Sequence, residues 1–110
     1  MSDQYMADIK KRIIDVAGSM IEGKVDLIEG CRLISKLRMR FPNPFCNDKV
    51  FHIFMAVDSD TDDFVFGEYR KQCDPKYLEE VDRKKNEYAA ESRNDIIKGC
   101  SALIDFLKKH

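Results

Sequence analysis

Apolar residues recur every three or four positions at the start of the chain: Met6, Ile9, Ile13, Val16 with Ala17, and Met20. That period is one face of an α-helix, and the spacing predicts an amphipathic helix over residues 3–22. Gly23 follows the last apolar residue and is a good stop, since glycine tolerates the left-handed backbone that ends many helices. Gly18 either weakens this helix slightly or admits a close neighbour. Asp26 opens a second helix. Asp26 and Glu29 have capping-box spacing, so each carboxylate can satisfy an orphan N–H of the first turn. Leu27, Cys31, Ile34 and Leu37 form its apolar face, and Lys36, Arg38 and Arg40 gather where the helix dipole is negative. Phe41-Pro42-Asn43-Pro44 ends it, because proline disfavours helix at its own position and at the one before.

A short third helix, capped by Asn47 or Asp48, is expected through Val50, Phe51, Ile53, Phe54 and Val57. It reads as apolar on nearly all sides and central to the core. A buried strand is the competing assignment for so short a run. Phe64-Val65-Phe66 fits either a strand or a helical turn. Asp74-Pro75 is a clear start, an N-cap followed by proline at the first helical position. From there a long helix runs to about Lys108, with Leu78, Val81, Tyr88, Ser92, Ile96, Cys100, Leu103 and Leu107 near one face. Its middle is poor in apolar residues, with Lys85 and Ser92 on the inner stripe, so a bend or break is expected between Glu91 and Asn94. The expected architecture is all-α: one domain over residues 1–110, a compact bundle of four or five helices with a long C-terminal helix.

Between the third helix and the Phe64 segment lies Asp58-Ser59-Asp60-Thr61-Asp62-Asp63, four carboxylates in six residues. Carboxylates so close repel one another and need solvent, a cation, backbone N–H groups or a basic partner. Asp58, Asp60 and Asp62 match the first three ligand positions of a calcium loop. The sharp-turn glycine is then replaced by Asp63, and the bidentate glutamate by Tyr69, with Glu68 one residue early, so an EF-hand is not expected. Three readings remain. The run is a solvated interhelical turn, with Ser59 or Asp62 capping the next segment. It is an internal network tied to Arg32 or Arg70. Or it is a protein-binding surface in which Asp60, Asp62, Asp63 and Glu68 supply charge beside the aromatic anchors Phe64 and Tyr69.

Charge changes the picture locally more than globally. The net charge of the chain is -1, yet residues 46–70 carry a balance of -4 and residues 26–45 one of +2. There is no overall basic footprint, which argues against a nucleic-acid binder. The basic end of the second helix can touch an anion or simply be solvated. The first residues lack the basic and apolar regions of a signal peptide, and no stretch has the length of a membrane span, so a cytoplasmic protein is expected. Cys31, Cys46, Cys73 and Cys100 show no C-x-x-C pair and are expected to be reduced, partly buried small hydrophobes rather than a zinc site. His52, in an apolar segment, reads as a core histidine, and His110 as a frayed terminus. No nucleophile elbow, P-loop or H-E-x-x-H motif is present, and neither an enzyme, a cofactor nor a metal is expected. The alternative is a divalent-metal-dependent protein or enzyme centred on Asp58, Asp60 and Asp62, or a structural or regulatory helical domain.

Ile28-Glu29-Gly30-Cys31-Arg32, Ala56-Val57-Asp58-Ser59-Asp60-Thr61-Asp62 and Gly67-Glu68-Tyr69-Arg70 together resemble a family of small bacterial cytosolic proteins. Some proteins of this kind serve as immunity proteins beside contact-dependent growth-inhibition or related toxins. The resemblance spans about residues 22–72 and leaves the last helix uncovered. It implies a protein that neutralises a cognate, basic toxin domain, such as a nuclease, by binding it tightly. It does not assign the interface, because toxin-facing surfaces are specific to one partner.

Overall fold

The computed structural model describes residues 3–64 and 67–110, without the side chains of Asp3, Glu68 and Tyr69. They form four α-helices: α1 (Asp3–Ile21), α2 (Leu27–Arg38), α3 (His52–Asp60) and α4 (Pro75–Lys109). Short 3₁₀ turns at Phe45–Asn47, Lys49–Phe51 and Gly67–Gln72 connect them, and no strand occurs among the described residues. The third apolar run is therefore a helix rather than a buried strand. It is entered through a 3₁₀ turn capped by Asp48, whose carboxylate accepts from the Val50 N–H at 3.0 Å.

The ends follow local chemistry. Asp26 caps α2 by accepting from the Ile28 and Glu29 N–H groups. Asp74 caps α4 through the Lys76 N–H. Gly23 takes φ 79°, the left-handed conformation that ends α1 without Cβ strain. Arg38 closes α2 onto the proline loop, its Nη1 donating to the Cys46 carbonyl at 2.9 Å.

Helix α4 lies along α1, while α2 packs on α1 and α3. The core joins Ile9, Ile13, Ala17 and Met20 of α1, Ile28, Cys31, Ile34 and Leu37 of α2, Phe54 and Val57 of α3, and Ile96, Cys100, Leu103 and Leu107 of α4. An aromatic cluster closes one end, with Phe41 and Phe45 centroids 4.8 Å apart and Phe45 and Phe106 5.5 Å apart. Helix α3 buries one face rather than all sides: His52 and Ala56 are exposed, so His52 is not a core histidine. Neither is His110 frayed. Its ring stacks on Phe106 at 4.5 Å, and its backbone oxygen accepts from Lys10 Nζ.

Helix α4 runs without interruption through Glu91–Asn94, where the sparse apolar stripe suggests a break. Nothing there obliges one: Ser92 and Lys85 are both only half-buried, so neither polar side chain is forced into the core. Close helix approach occurs at glycines other than Gly18, which has nothing near its missing Cβ. A Cβ on Gly30 would fall on the Met20 side chain, and one on Gly99 would lie 2.7 Å from Ile53 Cγ2. The cysteines are all free thiols, with Cys31, Cys46 and Cys100 buried.

Candidate functional site

The acidic run is not a loop over its first half. Asp58, Ser59 and Asp60 form the last turn of α3. A carboxylate is poorly placed there, because the unpaired carbonyls of a helix C-terminus already carry partial negative charge, and α3 has no basic residue of its own in that turn. Arg32 supplies the missing cation from α2. Its Nε lies 3.6 Å from Asp58 Oδ1, and both side chains are largely covered by their neighbours, at 24% and 32% exposure. Its Nη1 faces the Thr61 and Phe64 carbonyls at 3.5 and 3.4 Å, at the outer limit of a hydrogen bond. One guanidinium thus serves a carboxylate of the last helical turn, the carbonyl of the C-cap Thr61 and, beyond it, that of Phe64 in the turn.

Thr61 pins the turn from inside. It is fully buried, and its Oγ1 donates to the Val57 carbonyl at 2.6 Å. The chain then turns through a Phe64 N–H to Thr61 carbonyl bond of 3.0 Å. Reading the run as a polar turn does not place Thr61 inside. A signal for it is nonetheless present: Phe54, Val57 and Thr61 stand at i, i+3 and i+7, so threonine extends the apolar stripe of α3.

Around this anchor the other acids face outward. Asp60, Asp62 and Asp63 are exposed, and among the described residues the Asp62 and Asp63 carboxylates have no hydrogen-bond or ion-pair partner. Asp60 accepts from the Tyr88 hydroxyl of α4 at 3.1 Å. Burial pushes the Tyr88 phenol above its ordinary value, and the neighbouring Asp60 adds to the rise, so Tyr88 remains a neutral donor at physiological pH. Phe64 is half-buried and meets the Tyr88 ring edge-on at 6.4 Å. Sequence reasoning places Tyr88 only on an apolar face. It proves to orient both a carboxylate and an aromatic of this corner.

The expected site is brought together in part. Asp60, Asp62, Asp63 and Phe64 share the corner. Val65 and Phe66, and the side chains of Glu68 and Tyr69, lie outside the described residues. Arg70, the alternative to Arg32 in the internal-network reading, makes a two-pronged pair with Asp82 of α4, both contacts at 2.8 Å. The guanidinium holds the Asp82 carboxyl below its ordinary value. Neither Ser59 nor Asp62 starts a new helix: Ser59 lies inside α3, and Asp62 sits in the turn after it.

The alternation Asp58, Asp60, Asp62 would converge on a cation only in an extended loop. In a helix, residues two apart point about 200° from each other. Asp58 accordingly turns to Arg32 on α2 and Asp60 to Tyr88 on α4. Among the described residues no three His, Cys, Asp or Glu side chains gather as a metal site. Among the same residues no helix is long and apolar enough to cross a membrane.

No protein-family model matches this chain, nor does any curated protein or any solved structure. What the chain does has to be argued from the chemistry of the corner itself.

Proposed function

We propose that this chain is a non-enzymatic binding protein of the immunity type, which covers the basic active site or substrate groove of a toxin, such as a nuclease, with the corner at the end of α3. One observation carries this reading: three neighbouring carboxylates, Asp60, Asp62 and Asp63, stand exposed on a turn fixed from within by buried Thr61 and by Arg32. A surface already held in shape loses little conformational freedom on docking. Its charge accelerates encounter with a basic partner, and Phe64 gives the docked state an apolar anchor. Glu68 and Tyr69 belong to this reading from the sequence alone, since their side chains lie outside the described residues. The resemblance of residues 22–72 to small bacterial immunity proteins agrees with this chemistry. Within that motif Arg32 and Asp58 hold the turn, and the exposed acids beside them face the partner.

The test starts from the neighbouring gene: where it encodes a toxin domain, that domain is the partner, and association rates are measured at low and high salt. The D60N/D62N/D63N variant should associate about tenfold or more slowly at low salt, with a flatter salt dependence, while Phe64→Ala should mainly speed dissociation. Unchanged rates and an unchanged salt slope would remove this surface from the interface. Calorimetry with Ca²⁺, Mg²⁺ and Mn²⁺ separates the metal alternative, which requires a saturable heat that D58N/D60N abolishes.

A further inference from the structure

A second charged feature lies at the other end of the bundle. Tyr5, Asp8, Ile9 and Arg12 stand at i, i+3, i+4 and i+7 on α1, and with Leu37 of α2 and Arg40 beyond it they line a cleft of about 220 Å³. The apolar part of its lining is Ile9 and Leu37, both buried. Tyr5, 41% exposed, adds an aromatic wall. Arg12 and Arg40 bring two guanidiniums to the same cleft.

Those guanidiniums differ from most others in the molecule. Arg32, Arg38, Arg70 and Arg83 each have acceptors within reach. Among the described residues Arg12 and Arg40 have no hydrogen-bond or ion-pair partner. The one carboxylate in the lining, Asp8, accepts from the Gln4 side-chain amide at 2.8 Å. Two unpaired cations at one cleft repel each other, and that repulsion becomes attraction when an anion lies between them. The planar fork of arginine matches a carboxylate in two-pronged geometry.

We propose that this cleft binds a small carboxylate with an apolar or aromatic body, its carboxylate between Arg12 and Arg40 and its body on Ile9, Leu37 and Tyr5. The size supports a small ligand, since sites for drug-sized molecules start at about 300 Å³. The apolar lining requires that the anion carry more than charge. The cleft is separate from the acidic corner. Lys10 of α1 bonds to His110, whereas Asp60 bonds to Tyr88, and those two residues of α4 are about 33 Å apart along the helix axis. The site therefore stands or falls independently of the toxin-binding reading.

Titration of the full chain with sodium benzoate, sodium acetate and sodium chloride, followed by backbone amide NMR shifts, tests it. Benzoate should give saturable shifts centred on Tyr5, Ile9, Leu37 and Arg40, with a Kd on the order of 1 mM and several-fold tighter than acetate. Arg40→Gln should weaken benzoate about tenfold and the R12Q/R40Q pair should abolish saturation, with the rest of the spectrum superimposable on wild type. N-acetylphenylalanine distinguishes the source of the carboxylate. If it binds more tightly than benzoate, the natural ligand is a peptide C-terminus; if less tightly, it is a free small acid. Shifts that sodium chloride reproduces, or that survive R12Q/R40Q, would overturn the proposal.

Discussion

The two halves of α4 belong to one uninterrupted helix but are held by different physics. From Ile96 onward its inner face is buried: Ile96, Cys100, Leu103 and Leu107 sit in the core against α1, α2 and α3. Between Pro75 and Asp95 only Val81 is buried to that degree. The first half is tied mainly by the Arg70–Asp82 fork, the Tyr88–Asp60 hydrogen bond and the Phe64–Tyr88 ring contact, with Tyr88 and Ala89 only partly buried against the core. Along its outer side Arg83 links Glu80 and Glu87. Such exposed i, i+3 and i, i+4 pairs contribute little, and most helical stability in proteins comes from packing. The first half thus borrows its order from the second. The acidic corner joins the two regimes, held to the core by buried Thr61 and to the polar half of α4 by Tyr88.

The largest expected effect tests this contrast directly. Leu103→Ala should lower unfolding free energy by about 2–5 kcal/mol, because it opens a cavity among fully buried neighbours. Val81→Ala should cost about 1–2 kcal/mol, the transfer value of the lost methyl groups, because the site has fewer walls to leave empty. Urea denaturation followed by far-ultraviolet dichroism measures both. Equal losses would mean that the first half is packed as firmly as the second.

What the sequence made legible obeys the same division between local and distant causes. The period of α1, the Asp26 cap, the Gly23 stop and the Asp74-Pro75 start are each decided by neighbours within a few positions, and each stands where expected. Gly30 against Met20 and Gly99 against Ile53 depend on which helices meet, which spacing within one helix cannot reveal. The corner divides likewise. Exposure of Asp60, Asp62 and Asp63 is what clustered acids imply. The pairing of Asp58 with Arg32 is one of several possibilities in the sequence, and the packing of α2 beside α3 selects it. The alternating acids look like a loop because their spacing suits one, but the apolar stripe of α3 continues to Thr61 and draws Asp58 to Asp60 into the helix.

A second effect concerns the buried half alone. Burial pushes the Cys31 thiol up to about 12 and the Cys100 thiol up to about 11, from an ordinary value of 9.0. A raised folded-state value means the native protein keeps protons that the unfolded chain releases. This contribution is fully present below about pH 9 and is lost as pH rises from there toward 11 and 12. Urea midpoints at pH 7.5 and 10 should show a loss on the order of 3 kcal/mol, about half from each thiol, and the C31A/C100A pair should flatten that slope whatever it does to stability at neutral pH. An unaltered slope would mean that these thiols are accessible to water and the half around them loosely closed.

The smallest effect belongs to the polar half and is local rather than global. Asp82→Asn removes the charge that Arg70 grips, so amide hydrogen exchange should accelerate between residues 75 and 90 and stay unchanged between 96 and 107. The wild-type protein should reproduce this by acidification alone. The Arg70 guanidinium holds the Asp82 carboxyl below its ordinary value, so the contribution is present above the ordinary carboxylate range and is lost as pH falls through the lowered value. Asp82→Asn should be insensitive to that change over the same segment. If exchange instead quickens evenly along all of α4, the helix opens as a single unit. The Tyr88 end of the acidic corner is then as firmly held as the core beneath Leu103.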